Sequence, residues 1–159
     1  MSWKCTCGSL ELPEFPHRPM MTPRQASEQL VAAAVAGLDG CPARVADVGT
    51  GSGALAVAIA RECPDVEIWA TDTSRCAVLL ARANVRRHGL EDRITVCRCD
   101  LPDDVPAPVD LIVANLPYVL ASAAREHPDL WTEPFESVFA PGDVLEPYRR
   151  LADAARTWL

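Results

Sequence analysis

The stretch ARVADVGTGSGALAVAIAREC, residues 43–63, decides the fold because it joins a buried strand to a helix through a glycine-rich turn. Residues 43–49 form an apolar run of strand length, and residues 52–63 have the composition of a helix that is apolar on most sides. Between them, Gly49, Gly51 and Gly53 remove side chains where the chain must turn sharply. Such a strand–loop–helix unit favours ligand binding at the end of the strand, where backbone groups can approach a ligand closely.

The alternation of strand and helix continues on both sides of this stretch. Further strands are predicted at 66–72, 94–100 and 109–115, and further helices at 22–38, 74–88 and 143–159. Strands without a polar face that alternate with helices indicate βαβ units, and therefore an α/β domain with a parallel sheet. Right-handed crossovers then place helices on both faces of that sheet.

Two segments fall outside the alternation. Residues 1–21 are rich in proline and are predicted to be irregular, so the domain is expected to cover residues 22–159. Residues 116–142 are predicted to be a long loop interrupted by prolines. Because four strands are visible and the fourth would lie at an edge, we expect either a sheet that is incomplete towards the carboxyl terminus or another element that covers this edge.

Composition and charge restrict the class of protein. The 159 residues suffice for one domain with a core, and no apolar run has the length of a membrane span. The first residues lack a basic start and an apolar signal core, which argues against secretion. The formal net charge of −7 argues against a nucleic-acid partner, and the basic residues Arg82, Arg86 and Arg87 are interpreted as a solvated helix face.

The seven cysteines are interpreted as small buried apolar residues of a cytoplasmic protein. The only close pairs are Cys5 with Cys7 and Cys97 with Cys99, and neither has the spacing of a zinc site. A metal centre is therefore not expected.

The carboxyl ends of the predicted strands carry the residues of a candidate ligand site. Gly49, Gly51 and Ala54 satisfy the dinucleotide pattern G-x-G-x-x-G/A, and Asp72 follows at about the spacing expected for a ribose contact. Asp47 stands two residues before the first glycine. A carboxylate there, pointing into the crevice, would repel a pyrophosphate and attract a cation. A nicotinamide-dependent enzyme therefore stays a weaker alternative, as does a simple tight turn.

Two more strand ends support a cationic ligand with an adenine group. Asp100 ends the third strand and suits a hydrogen bond from an exocyclic amine. The stretch VANLPYV, residues 113–119, ends the fourth strand at Asn115 and turns through Leu116 and Pro117. All four ends fall on one rim of a doubly wound sheet, where ligands bind. S-adenosylmethionine offers matching groups: an amino acid end, a ribose diol, an adenine amine and a sulfonium.

Taken together, these motifs resemble those of the class I S-adenosylmethionine-dependent methyltransferases, and more narrowly the protein-(glutamine-N5) methyltransferases of peptide-chain release factors. PRQASEQLV (23–31) resembles that family's Pro-Arg-Pro-Glu-Thr-Glu segment, DVGTGSGALAVAIA (47–60) resembles its glycine motif, and EP (133–134) and YRRL (148–151) resemble elements downstream. The resemblance runs from about residue 22 to the end. It implies a Rossmann-like three-layer sandwich with the visible strands in the order 3-2-1-4, truncated relative to a seven-stranded sheet.

The resemblance also implies roles for residues on the rim. The glycine loop would wrap the methionine end of the cofactor, Asp72 would bind the ribose hydroxyls, and Leu101 would lie against the adenine. Asn115 would reach both cofactor and substrate. The full set of cofactor-binding residues implied is Asp47, Gly49, Thr50, Gly51, Ser52, Gly53, Asp72, Asp100, Leu101 and Asn115.

The catalytic residues implied are Asn115, Leu116, Pro117 and Tyr118, at the position of the family's Asn-Pro-Pro-Tyr motif for planar nitrogens. The Asn115 side-chain oxygen and the Leu116 carbonyl would accept the two N–H bonds of a glutamine amide, and Tyr118 would pack on the amide plane. Catalysis would rest on positioning and hydrogen bonding. Since Leu116 replaces the first proline, Asn-Leu-Pro-Tyr is closer to the ribosomal-RNA adenine dimethyltransferases, and an RNA adenine-N6 target stays open.

Two parts of that family's architecture have no counterpart in the sequence. The release-factor enzymes have an N-terminal helical domain that grips the protein substrate, and further C-terminal strands that complete the sheet. One hypothesis is therefore an enzyme acting on a protein such as a release factor, with a second copy or a small partner chain at the open sheet edge. The alternative is a truncated domain that binds cofactor or a partner with little or no catalysis.

Overall fold

The structure, a computed structural model, describes residues 2–5, 8–11, 25–100, 105–106, 108–122, 138–140 and 142–159. The helices are α1 (Gln25–Leu38), α2 (Ala54–Glu62), α3 (Arg75–Arg87) and α4 (Glu146–Trp158). The strands are β1 (Ser2–Cys5), β2 (Gly8–Glu11), β3 (Ala43–Val48), β4 (Val66–Thr71), β5 (Ile94–Cys97), β6 (Leu111–Ala114), β7 (Val119–Leu120) and β8 (Phe139–Ala140). Four helices and four main strands fall where the sequence predicts them, with ends that differ by up to three residues.

The central sheet has four parallel strands in the order β5-β4-β3-β6. This confirms the predicted parallel sheet and the predicted order, in which the first two strands of the alternation lie at the centre. Within the described residues, β5 and β6 are the two edges of this sheet. The carboxyl ends of all four strands therefore meet along one rim, as parallel pairing requires.

The two faces of the sheet are covered differently. Because successive side chains of a strand point to opposite faces, Val45 packs into the cluster formed with α1, α2 and α3, whereas Ala46 and Val48 pack into a second cluster that includes Leu151 of α4. Helices thus lie on both faces, which confirms the three-layer Rossmann-like sandwich. Among the described residues, far fewer are buried on the second face than on the first.

The helix ends follow local sequence signals. After α1 the chain reverses through two residues with positive φ, 47° at Asp39 and 70° at Gly40, and glycine commonly ends a helix in this conformation. Ser74 caps α3 by accepting a hydrogen bond from the N–H of Ala77 at 3.4 Å. Pro147 lies in the first turn of α4, where a proline needs no N–H partner. Thr22, at which the first predicted helix begins, lies outside the described residues.

Two predictions of irregular structure are wrong. Within residues 1–21, β1 and β2 form an antiparallel hairpin with Cys5 opposite Gly8. The prolines of this segment, Pro13, Pro16 and Pro19, follow the hairpin in the sequence, so the ladder of residues 2–11 does not need their missing N–H groups. In the predicted loop 116–142, β7 and β8 pair in parallel over two residues each, too short for a periodic sequence signal.

The cysteines divide by environment. Cys63 is buried, as predicted, but Cys41 and Cys76 are exposed, and Cys97 and Cys99 are partly buried. The prediction that the cysteines are buried is therefore wrong for Cys41 and Cys76. Cys41 follows a turn and Cys76 lies at the start of a helix, and at such positions the pattern of neighbouring residues does not indicate whether a side chain is buried. No helix in the described part of the chain has the length and apolar content that a bilayer span requires.

Candidate cofactor and substrate site

The strand register brings the predicted site residues together on the rim. Val48, the last residue of β3, pairs with Thr71 on one side and with Ala114 on the other. The residues that follow, Gly49, Asp72 and Asn115, therefore leave three adjacent strands side by side. The sequence predicted this meeting from the parallel sheet alone.

Three N–H groups of the glycine loop donate hydrogen bonds to other groups of the protein. The N–H of Thr50 donates to the Thr71 carbonyl at 2.8 Å, and the N–H of Gly53 donates to the Thr50 carbonyl at 2.9 Å. The N–H of Gly51 donates to Asp72 Oδ2 at 2.9 Å. Three donors that a pyrophosphate-binding loop would turn towards its ligand are thus engaged inside the protein. This arrangement disfavours the dinucleotide alternative.

Glycine is required in this loop for two separate reasons. Gly49, Gly51 and Gly53 have φ values of 72°, 57° and 79°, a region that side chains disfavour. In addition, a β-carbon on Gly49 would lie 2.7 Å from Leu116 Cδ2, so the loop and the Asn-Leu-Pro-Tyr corner are in direct contact. The glycine loop and the Asn-Leu-Pro-Tyr corner therefore lie against each other on the rim.

Asp72 is the acid best placed to hold a hydroxylated ligand. Its Oδ2 accepts the Gly51 N–H, and its Oδ1 accepts the Ser74 N–H at 2.8 Å. Each carboxylate oxygen has a second lone pair, so both can still accept a hydroxyl hydrogen. The two backbone bonds fix the carboxylate beside the loop, which suits the predicted ribose contact.

Asp47 does not lie open to the crevice. Its side chain is fully buried beneath the loop, and Oδ2 accepts the Thr50 hydroxyl at 2.5 Å, while Oδ1 has no hydrogen-bond partner among the described residues. Burial raises the pKa of Asp47 to about 6, against the opposing effects of the Thr50 hydroxyl and of the nearby Ala56 N–H, which falls short of a full hydrogen bond. Its role as a direct cofactor contact stays a prediction, and the geometry favours support of the loop.

Asn84 also supports the loop, and the sequence analysis missed it. This fully buried residue of α3 donates from Nδ2 to the Ser52 carbonyl at 2.8 Å. A signal was present: an asparagine continues the buried stripe formed by Ala77 and Ala81 of the same helix. A buried polar side chain needs a partner, and here the partner is the ligand loop.

The corner after β6 presents the groups that the catalytic prediction named. The half-buried Asn115 makes no side-chain hydrogen bond to another described residue, so its amide is available to a ligand. The Leu116 side chain packs against the second-face cluster and against the glycine loop. Tyr118 is 55% exposed at the mouth of the corner. The catalytic roles of Asn115, Leu116, Pro117 and Tyr118 stay predictions.

Two contacts from α4 reach the rim, and neither was predicted. The Tyr148 hydroxyl donates to the Leu116 carbonyl at 2.8 Å. Burial raises the pKa of Tyr148 above its usual value, so the phenol stays protonated and able to donate. Arg150 pairs with Asp100 at 2.6 Å, so the carboxylate predicted to receive the adenine amine is shared with a guanidinium. Leu101, the predicted adenine contact, lies outside the described residues.

Comparison with known proteins assigns the family. The chain matches the methyltransferase small domain over residues 25–136. The chain belongs to this family. A methyltransferase small domain has S-adenosylmethionine as its cofactor, a sulfonium cation that also carries an amino acid end, a ribose diol and an adenine amine.

The solved structures agree with this family. The structure is similar to the ribosomal protein L11 methylase from Lactobacillus delbrueckii subsp. bulgaricus, with 30% identity, 85% of this chain and 70% of that chain covered, and a TM-score of 0.53. It shares the fold of the hMettl16 catalytic domain, with a TM-score of 0.71 and 19% identity over 91% of this chain and 55% of that one.

Among the curated relatives, the release factor glutamine methyltransferase of Gloeobacter violaceus is 39% identical over 142 residues. The match covers 86% of this chain and 50% of that protein, so the chain spans about half the length of the curated relatives it matches.

The residues present fit the cofactor of this methyltransferase family. The Asp72 carboxylate can accept hydroxyls and favours a cation, and the half-buried Asn115 lies beside it on the rim. Among the described residues, no group of three His, Cys, Asp or Glu side chains is arranged to hold a metal ion.

Proposed function

We propose that this methyltransferase domain methylates a planar nitrogen, and that its substrate is the side-chain amide of a glutamine in a protein such as a release factor. The observation that carries the proposal is the contact between Leu116 and Gly49, which joins the acceptor corner to the cofactor loop. The identity to release factor glutamine methyltransferases supports the choice of substrate.

The chemistry requires the corner to orient a weak nucleophile. Bound S-adenosylmethionine supplies an electrophilic sulfonium methyl group. The lone pair of an amide nitrogen is delocalised, so the nitrogen reacts only when it is held in line with that methyl carbon. The side-chain oxygen of Asn115 and the carbonyl of Leu116 accept the two N–H bonds, and they stabilise positive charge as it develops on the nitrogen. Tyr118 covers the amide plane. As the bond from the nitrogen to the methyl carbon forms, the bond from that carbon to sulfur would break, the neutral thioether S-adenosylhomocysteine would leave, and the nitrogen would lose one proton to water.

The test is methyl transfer to a purified release factor, with the site located by mass spectrometry. Asn115→Ala is expected to lower kcat about 100-fold or more, on the order of the loss of one oriented hydrogen bond at a developing charge. Glu91→Ala is the matched control, since Glu91 is exposed before the amino end of β5, away from the rim. An Asn115→Ala protein that methylates as well as the parent would exclude the proposed role of this corner.

Cofactor binding is tested separately, by calorimetric titration with S-adenosylmethionine beside Asp72→Ala. Saturable binding by the parent and its loss in Asp72→Ala are expected. Binding without transfer to any glutamine would favour the truncated, inactive domain.

A second candidate substrate is an adenine N6 in RNA, favoured by the leucine in Asn-Leu-Pro-Tyr. The net charge of −7 opposes it, because RNA binding depends on cationic side chains that release counterions. Salt-dependent binding of a short RNA hairpin, with methyl transfer to it, would favour this candidate over the glutamine.

A further inference from the structure

Leu116 is held at both ends, by its side chain and by its carbonyl. The side chain packs over Gly49 so closely that a β-carbon there would lie 2.7 Å from Leu116 Cδ2. The carbonyl oxygen accepts the Tyr148 hydroxyl at 2.8 Å, across 32 positions of sequence. This second contact comes from α4, which follows the Asn-Leu-Pro-Tyr motif by about 30 residues in the sequence. The motif by itself does not predict it.

The Leu116–Pro117 peptide has one hydrogen-bonding group. Pro117 has no N–H, so the carbonyl oxygen is the only group of this peptide that can form a hydrogen bond. The proline ring fixes its own φ and restricts ψ of Leu116 to the extended range, but φ of Leu116 is not fixed by a ring. The Tyr148 hydroxyl adds a partner that sets the final direction of the carbonyl.

We propose that Tyr148 is a positioning residue, whose hydroxyl fixes the direction of the Leu116 carbonyl so that the second lone pair of that oxygen faces the substrate nitrogen. This inference rests on the proposed function, in which the Leu116 carbonyl is one of two acceptors for the nitrogen. A carbonyl oxygen accepts two hydrogen bonds, so the tyrosine and the substrate bind it together. The tyrosine orients the acceptor and does not touch the reacting atoms.

The rest of α4 holds Tyr148 in place. Leu151, one turn along the helix, is buried in the second-face cluster with Ala46 and Val48 of β3. At the far end of the helix, the Trp158 carbonyl accepts the Val109 N–H at 2.7 Å. The helix therefore contacts β3 through Leu151 and the segment just before β6 through Trp158. These two contacts hold the backbone of Tyr148 in place near the rim.

The experiment compares the parent with Tyr148→Phe, which removes the hydroxyl and keeps the ring. Thr157→Val is the matched control, since it removes an exposed hydroxyl from the last turn of the same helix. The acceptor is a peptide from the glutamine-containing loop of a release factor. Assays are run below the Tm of each variant, and the concentration of competent protein is set by titration with S-adenosylmethionine.

Tyr148→Phe is expected to lower kcat and kcat/KM by the same factor, roughly five- to tenfold, the size expected for one neutral hydrogen bond. The Kd for the cofactor should change by less than about twofold, because the hydroxyl does not contact the cofactor loop. Thr157→Val should match the parent in every quantity.

Three outcomes would overturn the inference. The first is a Tyr148→Phe protein with the kcat of the parent. The second is an equal loss of cofactor affinity and activity, which would indicate a general structural role. The third is a parent protein without any turnover. That result would refute the proposed function itself, and it differs from a failure of the Tyr148 inference because the parent as well as the variant is inactive.

Discussion

Asp47 shows at the scale of one residue how an acid near a ligand site can serve the loop instead. It is fully buried, with one oxygen bonded to Thr50 and the other without a partner among the described residues. A carboxylate in this position is costly to ionise, and burial raises its pKa from 3.8 to about 6. The folded protein therefore holds this proton more tightly than the unfolded chain does.

This residue predicts a pH-dependent stability. Its contribution is full below pH 3.8 and is lost as the pH rises through about 6, and the difference between the two pKa values corresponds to roughly 3 kcal/mol. Asp47→Asn cannot ionise. The free energy of unfolding of the parent, relative to Asp47→Asn, should therefore fall by up to about 3 kcal/mol between acid and neutral pH.

Urea denaturation at a series of pH values measures this difference. Asp92→Asn is the control, since Asp92 is an exposed aspartate in the turn before β5. A parent-minus-variant difference that stays flat for Asp47→Asn across this pH range would contradict the assignment.

At the scale of one element, α4 connects the two ends of the crevice. Tyr148 reaches the corner after β6, and Arg150 reaches Asp100 after β5, although β5 and β6 are opposite edges of the described sheet. Both contacts come from the first two turns of one helix. The first two turns of α4 therefore contact both the Leu116 carbonyl, the predicted acceptor for the substrate, and Asp100, the predicted contact of the adenine amine.

The ion pair between Arg150 and Asp100 predicts that Arg150 and the adenine amine of the cofactor compete for the Asp100 carboxylate. If Asp100 accepts the adenine amine, Arg150→Ala should raise cofactor affinity by at most about fivefold, the size of a half-exposed ion pair. The parent should approach the variant at high salt, since salt screens the pair.

Arg149→Ala is the matched control for this competition, because Arg149 pairs with Asp143, in the segment just before the helix, and not with the rim. The measurement is calorimetric titration at low and high salt. Weaker binding by Arg150→Ala would show instead that Arg150 assists the cofactor.

At the scale of the whole molecule, the described residues cover the two faces of the sheet unevenly. Three helices bury one face, and the described residues cover the other face mainly through α4 and the segment around Val105 and Val109. A layer with few buried side chains opens at a lower free energy than a large core does. A second copy or partner chain at the β6 edge stays a prediction.

This asymmetry predicts local opening of α4. Leu151→Ala should cost about 2–3 kcal/mol, as expected for a buried leucine whose site collapses in part. Hydrogen exchange should show the loss in α4, while α2 keeps its protection, because α2 packs in the other cluster.

Leu159→Ala is the control for Leu151→Ala, since Leu159 is 66% exposed, and it should cost less than about 0.5 kcal/mol. Equal loss of protection in α2 and α4 would mean that the two faces unfold as one unit.

Local periodicity explains which predictions succeeded. The strands β3 to β6 lie in apolar runs without a polar face, and the helices carry apolar stripes with a period of 3.6 residues, so neighbouring residues alone reveal them. The hairpin was missed because its strands, SWKC and GSLE, mix polar and apolar residues, and the pair β7–β8 was missed because two residues are too few to show a pattern.

The amino-acid sequence by itself determined the parallel sheet, the glycine turn at Gly49 and the meeting of Asp72 and Asn115 on one rim, because each follows from local pattern and strand polarity. Only the tertiary structure decided that Tyr148 holds the Leu116 carbonyl, that Arg150 shares Asp100, and that Asp47 lies closed beneath its loop. These contacts join residues on different elements or depend on how completely the loop covers a side chain. No local pattern specifies such distances, and packing of α4 and the glycine loop against the sheet sets them.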